Sequence, residues 1–87
     1  MALLSLRTAG TLLASVGASH FVAPGLYESI TAPAFPTDTR SWIYRNGATE
    51  LALGLALRNS NRTLRGIGIA GLLGYTAWLG SNLAKHR

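Results

Sequence analysis

The sequence predicts an all-α integral membrane protein, a single membrane domain over residues 1–87 in which three transmembrane helices form a partial bundle. Three observations predict it. Hydrophobic residues make up 48% of the chain and charged residues 13%, the latter about half the share usual in a soluble domain. Three apolar stretches of helical length follow one another, separated by clusters of proline, glycine and polar residues. The basic residues stand at the ends of these stretches rather than on one face, a placement that membrane insertion selects.

The same placement argues against nucleic acid as a partner, although eight Lys and Arg against three acids give a formal charge of +5. Cysteine is absent, which removes disulfides, thiolate metal sites, iron–sulfur clusters and covalent haem attachment. The ten glycines suit close-packed membrane helices. The mean hydropathy of +0.26 keeps a small soluble or peripheral helical protein as an alternative.

The first helix is predicted over about residues 3–23, with Arg7 near its start. Gly10, Ala14 and Ala18 form a small-residue stripe, and small residues four apart let another helix approach closely. Thr11, Ser15 and Ser19 line the neighbouring stripe. A cleaved leader shares the basic start, the apolar run and small residues such as Val16, Gly17 and Ala18; the expectation is a retained span. Pro24 and Gly25 end the helix.

A connector follows over residues 24–37. Leu26, Tyr27 and Ile30 fit one short amphipathic turn closed off by Pro33 and Pro36. An ordinary loop whose aromatics pack on the helix ends is the alternative.

The second helix, about residues 38–58, starts where Asp38 or Thr39 can cap free backbone N–H groups. Its ~20 residues would reach ~30 Å. Gly47 and Gly54 add small packing positions. Glu50 lies at its middle, where a charged side chain in a bilayer costs at least ~2.5 kcal/mol and turns toward protein. A basic turn over residues 59–65 carries Arg62 and Arg65 just after Arg58, and the three arginines place the N-terminus in the cytoplasm.

The third helix is predicted over about residues 66–84. Gly66, Ala70 and Gly74 form its small-residue stripe, with Gly71 on the adjacent face. Trp42, Trp78 and Arg45 read, with the arginines of the turn, as interface anchors. Running antiparallel to the second helix brings Trp78 to the level of Arg45, where a cation–π contact is expected. The same register brings Gly74, Tyr75 and Thr76 level with Glu50.

Glu50, Tyr75, Thr76 and His20 are therefore the candidate ligand-binding residues. Glu50 reads either as a hydrogen-bonded carboxyl tying two helices together or as a proton relay or acceptor for a polar head group. No second acid within the spans extends a relay. His20 lies ~12 Å from Glu50 along the helix direction, so a direct pair is not expected, and its ring reads as a donor to a backbone carbonyl. Pairing with His86 around a haem is not expected, because His86 falls beyond the helix. No Ser/His/Asp set or metal-ligand spacing is present, and the glycines of residues 66–71 lack the preceding strand of a phosphate-binding loop. Neither catalytic residues, a metal nor a cofactor is expected.

Taken in order, His20, Phe21, Val22, Ala23 and Pro24, then Ile30, Phe35 and Pro36, then Arg40, Ser41, Trp42, Gly47, Glu50, Leu51, Ala52 and Gly54 give the chain a specific look. It resembles the DoxX-like family of small bacterial membrane proteins over roughly residues 10 to 80. The resemblance implies a four-helix membrane bundle with both termini in the cytoplasm, and the company of oxidoreductases, including thiosulfate:quinone oxidoreductase. It implies no catalytic residue set. The chain departs from the pattern in having three spans, and in Arg45 where a small or apolar residue is expected.

The function expected on these grounds is that of a non-enzymatic accessory subunit of a larger membrane complex, a respiratory or other redox assembly. Its partners would be other integral membrane subunits and membrane lipids, in the bacterial cell membrane. The alternative is a small membrane protein that binds a quinone-like or lipidic ligand through Glu50 and Tyr75, in association with an oxidoreductase.

Overall fold

The computed structural model describes residues 2–86. Helix α1 spans Ala2–Val22, a 3-10 turn Pro24–Tyr27, α2 Glu28–Thr31, α3 Thr39–Leu57 and α4 Arg62–Lys85, with no strand among the described residues. The all-α expectation therefore stands. Helix α1 stops where Ala23 leaves the helical region, at φ −136° and ψ 63°, because Pro24 crowds the backbone of the residue before it.

Asp38 precedes α3 in a left-handed conformation, with φ 55°, and its side chain caps nothing. Short polar side chains tolerate that conformation better than most. Thr39 Oγ1 instead donates to the Phe35 carbonyl at 2.7 Å. The connector thereby folds back onto the helix it precedes.

Helices α1 and α3 pack backbone to backbone. A β-carbon on Gly17 would stand 2.6 Å from the Gly47 carbonyl oxygen, and one on Gly47 would stand 2.8 Å from that of Gly17. Ala14 is buried in the same seam. Gly10, Ala14, Gly17, Gly47 and Gly54 are buried in this seam, while Ala18 is half-buried.

Helix α4 packs against α3 through a different face from the one the spacing suggests. A β-carbon on Gly68 would meet Ala56 Cβ and Leu57 N at 3.0 Å, and Gly71 faces the Leu53 side chain. Gly66 and Gly74 would meet nothing within 4 Å, and Ala70 is exposed. In a helix this rich in glycine, small residues recur on several faces, so periodicity cannot select the buried one. Helix α4 also begins at Arg62, four residues before the expected start, because the Asn61 side chain accepts from the backbone N–H groups of Thr63 at 2.9 Å and Leu64 at 3.1 Å.

The expectation of membrane spans is corrected by the structure. Among the described residues no helix is long and apolar enough to cross a membrane. Length is not the shortfall, since α1, α3 and α4 have 21, 19 and 24 residues. Helix α3 carries Arg40, Arg45, Asn46 and Glu50, α1 carries Arg7 with several hydroxyl residues and His20, and α4 dilutes its leucines and isoleucines with glycine. The multi-pass placement in a bacterial cell membrane with a cytoplasmic N-terminus falls with the spans, as does the respiratory-chain setting built on it.

The residues read as interface anchors have other contacts. Trp42 stacks on Phe35 with ring centroids 4.6 Å apart and meets Trp78 at 5.5 Å, joining the connector, α3 and α4 in one aromatic cluster. Arg45 lies over the Trp42 ring at 4.8 Å rather than over Trp78. The two residues are three apart on one helix face, so the local partner wins. Arg58 Nε donates to Thr11 Oγ1 at 3.0 Å and Arg65 Nη1 to the Ser60 carbonyl at 3.4 Å, while Arg62 opens α4.

Helix α3 lies between α1 and α4, which do not pack on each other among the described residues. A cleft is left along one face of α3, and the connector closes one end of it.

Candidate functional site: an amphipathic cavity across α3

The cleft holds a cavity of about 390 Å³. His20 comes to it from α1, Ile30, Thr31, Ala34 and Phe35 from the connector, and Asn46 and Glu50 from α3. Tyr75, Thr76, Leu79, Gly80 and Leu83 line it from α4. Asn46 and Glu50 are four apart and so share a helix face, as do Tyr75, Leu79 and Leu83 on the facing helix. The sequence therefore presents one polar edge and one mainly apolar wall.

The hydrogen bond from Tyr75 Oη to Glu50 Oε2, at 2.9 Å, bridges the cavity's two long sides. It is the contact that the antiparallel register predicted. Burial pushes the Tyr75 phenol well above its usual pKa, and the hydrogen bond to Glu50 adds to the rise. The phenol accordingly stays protonated and keeps donating.

His20 is 4% exposed. Its Nδ1 lies 2.8 Å from the Val16 carbonyl, and a carbonyl only accepts, so Nδ1 carries a proton and donates it. The ring stacks on Tyr27 at 3.7 Å between centroids, and the Tyr27 hydroxyl pairs with Ser19. No direct His20–Glu50 hydrogen bond forms among the described residues, yet both side chains face one cavity.

The four candidate ligand-binding residues named from the sequence, Glu50, Tyr75, Thr76 and His20, are thus brought together. Sequence reasoning missed Asn46, 7% exposed, and Thr31, 8% exposed, both in the cavity wall. The position of Asn46 one turn before Glu50 was the available signal. Thr31 carried none, because its place depends on how the connector folds back.

A polar edge holding a carboxylate, a phenol, an imidazole and an amide, opposite leucine and phenylalanine side chains, can take a ligand with an apolar body and one polar end.

No curated protein and no solved structure matches the chain. Nothing in the comparisons links it to the DoxX-like proteins. A family model described as "Domain of unknown function (DUF8561)" matches residues 9–85, from the start of the α1 seam to the last residue of α4. On that match, the chain belongs to the DUF8561 family.

Proposed function

We propose that this protein is a non-enzymatic binder of a small, mainly apolar ligand with one polar end, held in the cavity across α3. The observation that carries the reading is the Tyr75–Glu50 hydrogen bond at 2.9 Å in the cavity wall. Glu50 is half-buried, and its carboxyl has more acceptor sites than its one hydrogen bond from Tyr75 fills. The volume of about 390 Å³ falls within the range of small-molecule sites.

The test is a fluorescence titration with N-phenyl-1-naphthylamine, a neutral apolar probe that brightens when it leaves water. Saturable binding at one site is expected, and Leu79→Trp should abolish it by filling the cavity. Gly80→Leu serves as a second block, since Gly80 lines the cavity and an added β-carbon there meets nothing within 4 Å. Absence of saturable binding, or binding that both variants leave untouched, overturns the reading.

A second reading, a structural subunit of a larger protein assembly, is supported by one observation. Val22, Leu26 and Ile30 are 85%, 76% and 70% exposed around the end of α1 and the connector, and large exposed apolar groups of this kind mark interaction surfaces. Purification through a tag at native expression tests it. Isolation as a stable monomer with no stoichiometric partner would remove it.

A further inference from the structure

We infer that the polar end of the ligand is a protonated amine, so that the cavity takes an alkylammonium rather than a quinone, an alcohol or a carboxylic acid. The inference rests on the ligand-binding reading above and deepens it. Its basis is the Glu50 carboxylate, which lines the cavity and pairs with no cation among the described residues.

Glu50 brings only acceptor lone pairs when ionised. The Tyr75 proton is already committed to Glu50 Oε2 at 2.9 Å, leaving the phenol oxygen to accept. The His20 proton on Nδ1 is committed to the Val16 carbonyl at 2.8 Å. Asn46, more than nine-tenths buried, and the hydroxyls of Thr31 and Thr76 line the cavity without a hydrogen-bond partner among the described residues, and each both donates and accepts. Side-chain N and O atoms that are fully enclosed all have partners among the described residues, so the free atoms of the polar edge are those open to the cavity.

The charge balance points the same way. Among the described residues the ion pair that forms joins Arg40 to Glu28 at 3.1 Å, and no cation pairs with Glu50. Arg45, one turn earlier in α3, is turned onto the Trp42 ring. Arg7, Arg58, Arg62 and Arg65 gather at the opposite end of the helices, near the start of α1, the end of α3 and the start of α4, and Lys85 ends α4 ~15 Å beyond the level of Tyr75. At physiological ionic strength, charges more than ~8 Å away through solvent are largely screened. An ammonium group would supply three donors and the missing positive charge. A carboxylate would set like charges against each other, and a quinone or an alcohol would leave the Glu50 charge without a counter-charge. Ile30, Phe35, Leu79 and Leu83 would cover the hydrocarbon part.

The experiment displaces bound N-phenyl-1-naphthylamine with n-octylammonium, n-octanol and octanoate, three probes with one tail and three heads. Octylammonium should displace at about ten-fold lower concentration than octanol, with octanoate weakest. In Glu50→Gln, which keeps an acceptor for Tyr75 but loses the charge, octylammonium and octanol should come within about two-fold of each other. Equal displacement by all three, or a preference that survives in Glu50→Gln, overturns the amine while leaving the cavity reading in place. Failure of the naphthylamine to bind the unaltered protein removes both.

Discussion

Gly10 of α1 and Gly54 of α3 face each other with no side chain between them. A β-carbon on Gly10 would stand 2.6 Å from the Gly54 carbonyl oxygen, and one on Gly54 would stand 2.5 Å from that of Gly10. Gly17 and Gly47 repeat the arrangement about two helical turns away. The obstacle is backbone on both sides, so a methyl group can be fitted only by parting the helices.

Gly54→Ala should therefore destabilise the fold by ~1–3 kcal/mol, as overpacking does. Gly74→Ala, at a position with nothing within 4 Å, should instead stabilise by up to ~1 kcal/mol through helix propensity alone. Urea midpoints of the two variants should move in opposite directions. Shifts of the same sign and size would show that the seam has room to relax.

The Tyr75–Glu50 pair should behave as one unit. Glu50→Gln is expected to be nearly neutral because the amide oxygen still accepts from Tyr75, whereas Glu50→Leu should cost on the order of 1–2 kcal/mol. Tyr75→Phe should cost about 1 kcal/mol, and the double change should cost less than the sum of the two. Strict additivity in that cycle would mean that the hydrogen bond contributes nothing to stability.

The same pair sets an alkaline limit. Folding raises the Tyr75 pKa above its ordinary 10.0, first by burial and then by the Glu50 hydrogen bond. A raised pKa contributes stability that is complete below the unfolded value and is lost as pH climbs toward the folded one. Denaturation midpoints should hold up to about pH 10 and fall above it, with a smaller fall in Tyr75→Phe. An identical alkaline slope in that variant would assign the loss to other groups.

Asn61 closes the list, since its side-chain oxygen accepts from two backbone N–H groups at the start of α4. Asn61→Ala should cost about 1 kcal/mol, with Asn61→Asp close to neutral. Amide exchange at Thr63 and Leu64 should rise in the alanine variant. Unchanged protection there would show that packing on α3, rather than the cap, holds the first turn.

Local chemistry carries much of the architecture, and the sequence by itself determined it. Proline at 24, the Pro33 and Pro36 pair and the polar run at residues 59–61 interrupt three helical stretches, because a missing N–H and competing side-chain acceptors stop a helix whatever surrounds it. The antiparallel order of α3 and α4 follows from the short turn between them, and with it the level match of Glu50 and Tyr75. The membrane reading went wrong at the same local level. Helical length and terminal arginines count toward a span, but Arg40, Arg45 and Glu50 in α3 and the glycines of α4 lower the apolarity below what crossing requires.

Tertiary structure alone decided which faces meet. Gly66, Ala70 and Gly74 have the spacing of a packing stripe and lie in the open, while Gly68 and Gly71 meet α3, because helix rotation is set by which side chains fit the partner and not by the spacing within one helix. The cavity has the same origin. His20 and Glu50 form no hydrogen bond with each other among the described residues, yet the fold-back of the connector and the separation of α1 from α4 leave both lining one space, as Asn46 and Thr31 do. Such convergence depends on contacts among residues far apart in the chain, which periodicity and local propensity do not encode.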